Sequence, residues 1–208
     1  MTIRYKVLLK LFELVNARRI MAMPPEKTQK IFQKMNKKIN IPEMSDPDMD
    51  IMVYDVEDMP VVWYKHRLKK DKLCIYLVGG GMLKYPMPKQ AKGLIFLAKE
   101  TDTDIMLPYY PLAMNGATLL DVYEKVYALY KEALKRYDAD NIYLLGGSSG
   151  GNLALGMMSY IHERNEDLPR PGKIYAGSPG SLLINEEEAR VVRKIFDLYL
   201  EGKSFQQI

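Results

Sequence analysis

The sequence predicts an α/β fold, a mostly parallel sheet flanked by helices. Three observations carry that expectation. From Leu73 onward, short apolar runs alternate with amphipathic helical stretches, the pattern of right-handed βαβ crossovers. The runs "KLCIYLV", "DIMLP" and "NIYLL" are nearly continuous in apolar residues, as strands covered on both faces must be. Two of the runs stop abruptly in glycines, "LVGGGM" and "NIYLLGGSSGGN". Glycines placed there lie at the carboxyl edge of the sheet, where ligands bind in such folds.

The elements follow in order. Val7, Leu8, Leu11, Leu14 and Val15 have helical spacing and predict an amphipathic helix over residues 4–20, lying on the domain. A second helical pattern covers residues 25–38, and "IPEMSDPDMD" is a polar linker. "IMVYDVEDMPVVWYKHRL" predicts two short strands with a turn near Asp58 to Pro60. "KLCIYLVGGG" is a buried strand, "PKQAKGLIFLAKET" a helix, and "DIMLPYYPLA" a strand running into a loop. "TLLDVYEKVYALYKEAL" is a long helix, "NIYLLGG" a strand, "GNLALGMMSYIHER" a helix and "GKIYAGSPG" a strand.

A chain of 208 residues with 48% hydrophobic and 27% charged residues suits one globular core. A net charge of +4, spread without a dominant basic block, gives no reason to expect a nucleic-acid partner. The single cysteine, Cys74, excludes an internal disulfide framework. Its apolar surroundings predict a buried thiol and a reducing, cytoplasmic setting. Two histidines with no Cys/His cluster give no zinc pattern, so neither metal nor cofactor is expected. No segment is long and apolar enough to suggest a membrane span.

Glycines after a strand serve three chemistries. A P-loop requires a lysine after its last glycine, and here Asn152 and Leu153 follow Gly151. A dinucleotide fingerprint requires a third glycine, and "GGGMLK" has Lys84 in that place. A nucleophile elbow, G-x-S-x-G on a strand-to-helix turn, requires small neighbours around a strained serine. This fits in two registers. Gly146 to Gly150 frames Ser148, and Gly147 to Gly151 frames Ser149.

With these residues the chain resembles the hormone-sensitive-lipase-like branch of α/β-hydrolase esterases over about residues 50–181. That family's elbow reads G-D-S-A-G-G-N-L-A, and "GGSSGGNLA" overlays it with Ser148 on the nucleophile. Gly147 stands in the place of the acidic residue. The family's oxyanion loop, H-G-G-G, is matched by "VGGG", with Val78 for the histidine. "YYPLA", Tyr109 to Ala113, resembles the family's Y-R-L-A stretch, with Pro111 for the arginine. The resemblance implies hydrolysis of small-molecule carboxylic esters through an acyl-serine intermediate. Ser148 would attack, and the amides of Gly79, Gly80 and Ser149 would hold the oxyanion.

Other candidates read as structural. His66 lies among Lys65, Arg67, Lys69 and Lys70, the pattern of a solvated residue. His162 falls well into the helix after the elbow and away from its start. Tyr85, Tyr109 and Tyr110 fit either a cleft border or core packing, and most of the methionines fit core gap-filling.

The family's acid and histidine follow the serine, yet no histidine follows His162. The expectation is a truncated α/β-hydrolase fold over residues 1–183, impaired in turnover, with a non-catalytic binding module as the alternative. Lost strands would expose a sheet edge that a homodimer could cover. Residues 184–208 carry capping boxes at Asn185/Glu188 and Ser204/Gln207. Val192, Ile195, Phe196, Tyr199 and Leu200 form a helical stripe between them. This tail resembles the linker segment of serine site-specific recombinases.

Overall fold

The structure, a computed structural model, describes residues 23–36, 38–164 and 168–177. The chain divides into two units, Met1–Gly177 and Ser178–Ile208. The second unit, with the recombinase-like stretch, lies outside the described residues, as does the helix expected over 4–20.

In the first unit, α1 (Pro25–Met35) precedes a hairpin of β1 (Met49–Val56) and β2 (Met59–His66). Then come β3 (Leu73–Leu77), α2 (Pro88–Thr101), β4 (Asp104–Pro108), α3 (Leu119–Leu134), β5 (Ile142–Gly147), α4 (Ser149–Glu163) and β6 (Lys173–Gly177). The six strands among the described residues share one sheet in the order β1-β2-β4-β3-β5-β6. The β1–β2 and β2–β4 pairs are antiparallel; from β4 to β6 every pair is parallel.

The hairpin turn differs from expectation. It is made by Glu57 (φ 48°) and Asp58 (φ 62°), while Pro60 pairs with Asp55 inside the ladder. Two successive left-handed residues give the twist that a two-residue hairpin requires. Pro60 has no N–H to offer, but its carbonyl accepts from the Tyr109 amide at 2.8 Å, so a proline is tolerated on this strand.

Two cores form, one on each face of the sheet. Val126, Tyr127, Leu129 and Tyr130 of α3 join Leu153, Ala154 and Met157 of α4 on one face. On the other, Ala91, Leu94 and Ala98 of α2 pack on Val62, Tyr64, Ile105 and Leu107. The chain therefore leaves β3 toward the α2 face and leaves β5 toward the α4 face. Since β3 and β5 are neighbours, their departing loops diverge and open a crevice at the carboxyl edge, the site of ligand binding in open α/β sheets. Both glycine clusters border it.

His66 is not solvated as its basic neighbours suggested. It is 8% exposed, and its backbone N–H (2.8 Å) and Nδ1 (2.9 Å) both meet Asp104 Oδ1. The Tyr137 hydroxyl donates to Asp104 Oδ2 at 2.6 Å. Antiparallel pairing carries the end of β2 past the start of β4, so His66 comes beside a carboxylate 38 residues distant. Tyr109 and Tyr110, each 2% exposed, are core residues and not cleft borders. Cys74 is buried, and desolvation pushes its thiol up to about 12.

Candidate active site

The turn from β5 into α4 is built by close backbone approach. At Ser148, between the last residue of β5 and the first of α4, the backbone takes φ 52° and ψ −124°. Such a conformation costs a non-glycine residue about 1–3 kcal/mol and persists only where the surroundings enforce it. The surroundings here are specific. A Cβ on Gly146 would lie 2.2 Å from the Gly150 carbonyl oxygen, and one on Gly150 would lie 2.0 Å from the Leu77 carbonyl oxygen. The Ser148 N–H donates to the Gly177 carbonyl at 2.7 Å, and the Asn152 N–H to the Ser148 carbonyl at 3.1 Å. The strained position is Ser148, whose side chain is exposed; Ser149 is half-buried in the first turn of α4.

The second glycine cluster reaches the same place. A Cβ on Gly79 would stand 2.3 Å from the Gly147 carbonyl oxygen and 3.3 Å from the Ser148 Cβ. Gly80 (φ 137°) and Gly81 (φ 66°) then turn so that both amides point one way. They converge on the Ser149 hydroxyl oxygen, at 3.1 Å from Gly80 and 2.9 Å from Gly81. Thus Gly79 lies against Ser148, while the Gly80 and Gly81 amides both donate to the Ser149 hydroxyl. Consecutive glycines alone do not tell which amides turn inward.

The loop is fastened from several sides. The Leu83 N–H donates to the Gly80 carbonyl at 3.1 Å, and the Ala113 N–H to the Met82 carbonyl at 3.1 Å. The buried Tyr110 hydroxyl donates to the Val78 carbonyl, and burial raises its phenol pKa, which keeps it a donor. Asn36, just past α1, donates from Nδ2 to the Leu83 carbonyl and accepts from the Tyr85 N–H, both at 3.1 Å. Nothing local in "QKMNKK" marks Asn36 as a clamp on a loop some 50 residues away; only the fold brings them together.

Neither histidine approaches Ser148. His66 stands at the amino edge of β4, roughly one five- or six-residue strand, about 15–20 Å, from the carboxyl edge. His162 is exposed in the last turn of α4. At 1.5 Å per residue, it is about 20 Å from the helix start.

The sheet order, the diverging loops and a serine on a strained strand-to-helix turn define the class: an α/β protein with its crevice at the β3/β5 carboxyl ends. The α/β-hydrolase fold family matches residues 74–203, and the chain belongs to it. Among solved structures, it is similar to a candidate esterase from Staphylococcus aureus. The two share 23% identity and a TM-score of 0.65, over 76% of this chain and 54% of that one. An esterase of the bacterial hormone-sensitive lipase family gives 22% and 0.57, over 76% and 53%. At such identities the likeness concerns the fold. A triacylglycerol lipase of Mycobacterium tuberculosis is 29% identical over 72 residues, 35% of this chain and 16% of the lipase. The chain spans about half the length of the solved structures it matches.

Proposed function

We propose that the chain carries the nucleophile half of a carboxylic ester hydrolase, with Ser148 as the nucleophile. The observation behind this reading is the exposed Ser148 held at φ 52°, with the Gly79–Gly81 loop packed against it. In acyl transfer the Ser148 oxygen bonds to the ester carbonyl carbon and the carbonyl π pair moves onto oxygen. That oxyanion is held by amides of the glycine loop and of Ser149, each donor contributing about 3 kcal/mol to the transition state. The serine proton passes to a base and the alcohol leaves with a proton. Water then repeats the attack on the acyl-serine, releasing the carboxylate. The substrates are small-molecule esters; no step calls for a metal or cofactor.

Ser148 lacks an imidazole partner within this chain, so turnover is slow. Oxyanion holes and binding alone leave about a 10³–10⁴-fold acceleration over water in serine hydrolases stripped of their triad. The same observation favours the second reading, a binding module that holds carbonyl or carboxylate ligands in this crevice. Release of p-nitrophenol from a short-chain p-nitrophenyl ester, compared between wild type and Ser148→Ala, separates the two. Hydrolysis requires a faster wild type; equal rates leave the binding reading.

Among the described residues β6 is the terminal strand of the sheet, with Tyr175 51% exposed. We read it as an edge that a second copy covers, which sedimentation velocity decides. A reducing, cytoplasmic setting accords with the buried Cys74 thiol.

A further inference from the structure

Two loop amides beside Ser148 already hold a side-chain oxygen, that of Ser149. We propose that the Ser149 hydroxyl is a built-in occupant of the oxyanion pocket, which an incoming carbonyl must displace. The inference deepens the ester-hydrolase reading and rests on it for its catalytic consequence.

The geometry is direct. Effective oxyanion donors lie about 2.7–3.1 Å from the oxygen they stabilise. The Gly80 and Gly81 amides lie at 3.1 and 2.9 Å from Ser149 Oγ. The two amides are turned together by successive positive φ values, 137° and 66°, which makes a small concave anion site of the kind backbone nests form. That nest is rigid at both ends, through the Val78 carbonyl held by Tyr110 and the Gly80 carbonyl held by Leu83. Residue 149 opens α4, so its own N–H has no intrahelical acceptor. In the ester-hydrolase reading, an oxygen bonded to a carbon attached to Ser148 Oγ enters this space. It cannot do so while another oxygen accepts both glycine protons.

Displacement needs only a rotation about the Ser149 Cα–Cβ bond, with no backbone movement. It replaces two neutral hydrogen bonds with two charge-assisted ones as the oxyanion forms. The resting hydroxyl also keeps the two glycine amides paired when no ligand is bound. The sequence thus sets the readiness of the site at one position: alanine there leaves the pocket open, serine closes it.

The experiment uses the full chain as wild type, Ser149→Ala, Ser149→Thr and Ser148→Ala. Alanine suits the first turn of a helix and removes only the hydroxyl. A fluorophosphonate places its phosphoryl oxygen in the same pocket while Ser148 Oγ displaces fluoride, the serine proton leaving with it as hydrogen fluoride. Releasing two modest hydrogen bonds predicts phosphonylation on the order of tenfold faster in Ser149→Ala, with Ser149→Thr no faster than wild type. A slower Ser149→Ala overturns the proposal, because it would make the hydroxyl a donor or a brace. A second readout does not depend on Ser148 chemistry. In an acetate titration followed by amide NMR, Gly80 and Gly81 shift at about tenfold lower acetate in Ser149→Ala than in wild type. Equal titrations overturn the proposal. Should Ser148→Ala label like wild type, the ester-hydrolase reading falls, and the acetate result still decides whether Ser149 fills the pocket.

Discussion

Replacing Gly150 with alanine tests whether close backbone contact builds the elbow. The new methyl would lie 2.0 Å from the Leu77 carbonyl oxygen and 2.9 Å from that of Val78. A carbon–oxygen contact relaxes at about 3.2–3.4 Å, so β3 and the start of α4 must part by more than 1 Å. Overpacking of this kind costs about 1–3 kcal/mol, against the gain of up to ~1 kcal/mol that alanine brings to a helix. Near 2 kcal/mol of loss lowers the melting temperature by about 4–8 °C for a chain of this size. Leu77 and Val78 lead straight into the glycine loop, so the amides of Gly80 and Gly81 move as well. A 1 Å misplacement costs about a hundredfold in rate. Gly147→Ala is the internal control, since a Cβ there meets only the Gly177 carbonyl oxygen, at 3.8 Å, and its φ is not in the left-handed region. That variant gains about 0.4–1 kcal/mol by restricting the unfolded chain. Thermal unfolding followed by circular dichroism reads both. If Gly150→Ala melts with or above Gly147→Ala, the packing argument for the elbow is wrong.

Asp104→Ala strands the buried donors of His66 and Tyr137 and lowers unfolding free energy by about 3–5 kcal/mol in urea titration; Tyr137→Phe loses about 1.5–3 kcal/mol in the same assay. Asn36→Ala removes the clamp on Leu83 and Tyr85; it costs about 1–2 kcal/mol, and hydrogen exchange at residues 79–85 should speed up more than at β5. Alkaline pH destabilises the fold. Burial raises the Cys74 thiol and the Tyr109 phenol to about 12 each, from 9.0 and 10.0. The unfolded chain therefore releases those protons first, and stability is intact below about pH 9. Between about pH 9 and 12 it falls, by as much as ~1.4 kcal/mol per pH unit for each group in its window; urea midpoints at pH 8, 10 and 11 check this, and an unchanged midpoint refutes it.

The parallel core was legible in the sequence because it is written locally. Continuous apolar runs fall on β3, β4 and β5, and helical patterns on α2 through α4. The tight strand-to-helix turn at Ser148 was legible because glycines crowd both sides of it. What escaped was non-local or conformational. The hairpin turn fell on Glu57–Asp58, whose left-handed backbone has no glycine to announce it. His66 looked solvated because its charged neighbours are near in sequence, whereas Asp104 and Tyr137 become its surroundings only through the β2–β4 register. The hydrogen bonds from Gly80 and Gly81 to the Ser149 side chain depend on two dihedral angles that "GGGM" does not specify.

Activity in this fold requires that Ser148 be presented as a reactive hydroxyl. Fluorophosphonate labelling of the native chain, compared with the heat-unfolded chain and mapped by peptide mass spectrometry, asks this directly. The prediction is an adduct on Ser148 that forms at least tenfold faster in the native chain and disappears in Ser148→Ala. Equal labelling of native and unfolded chains, or an adduct on Ser149, would contradict it.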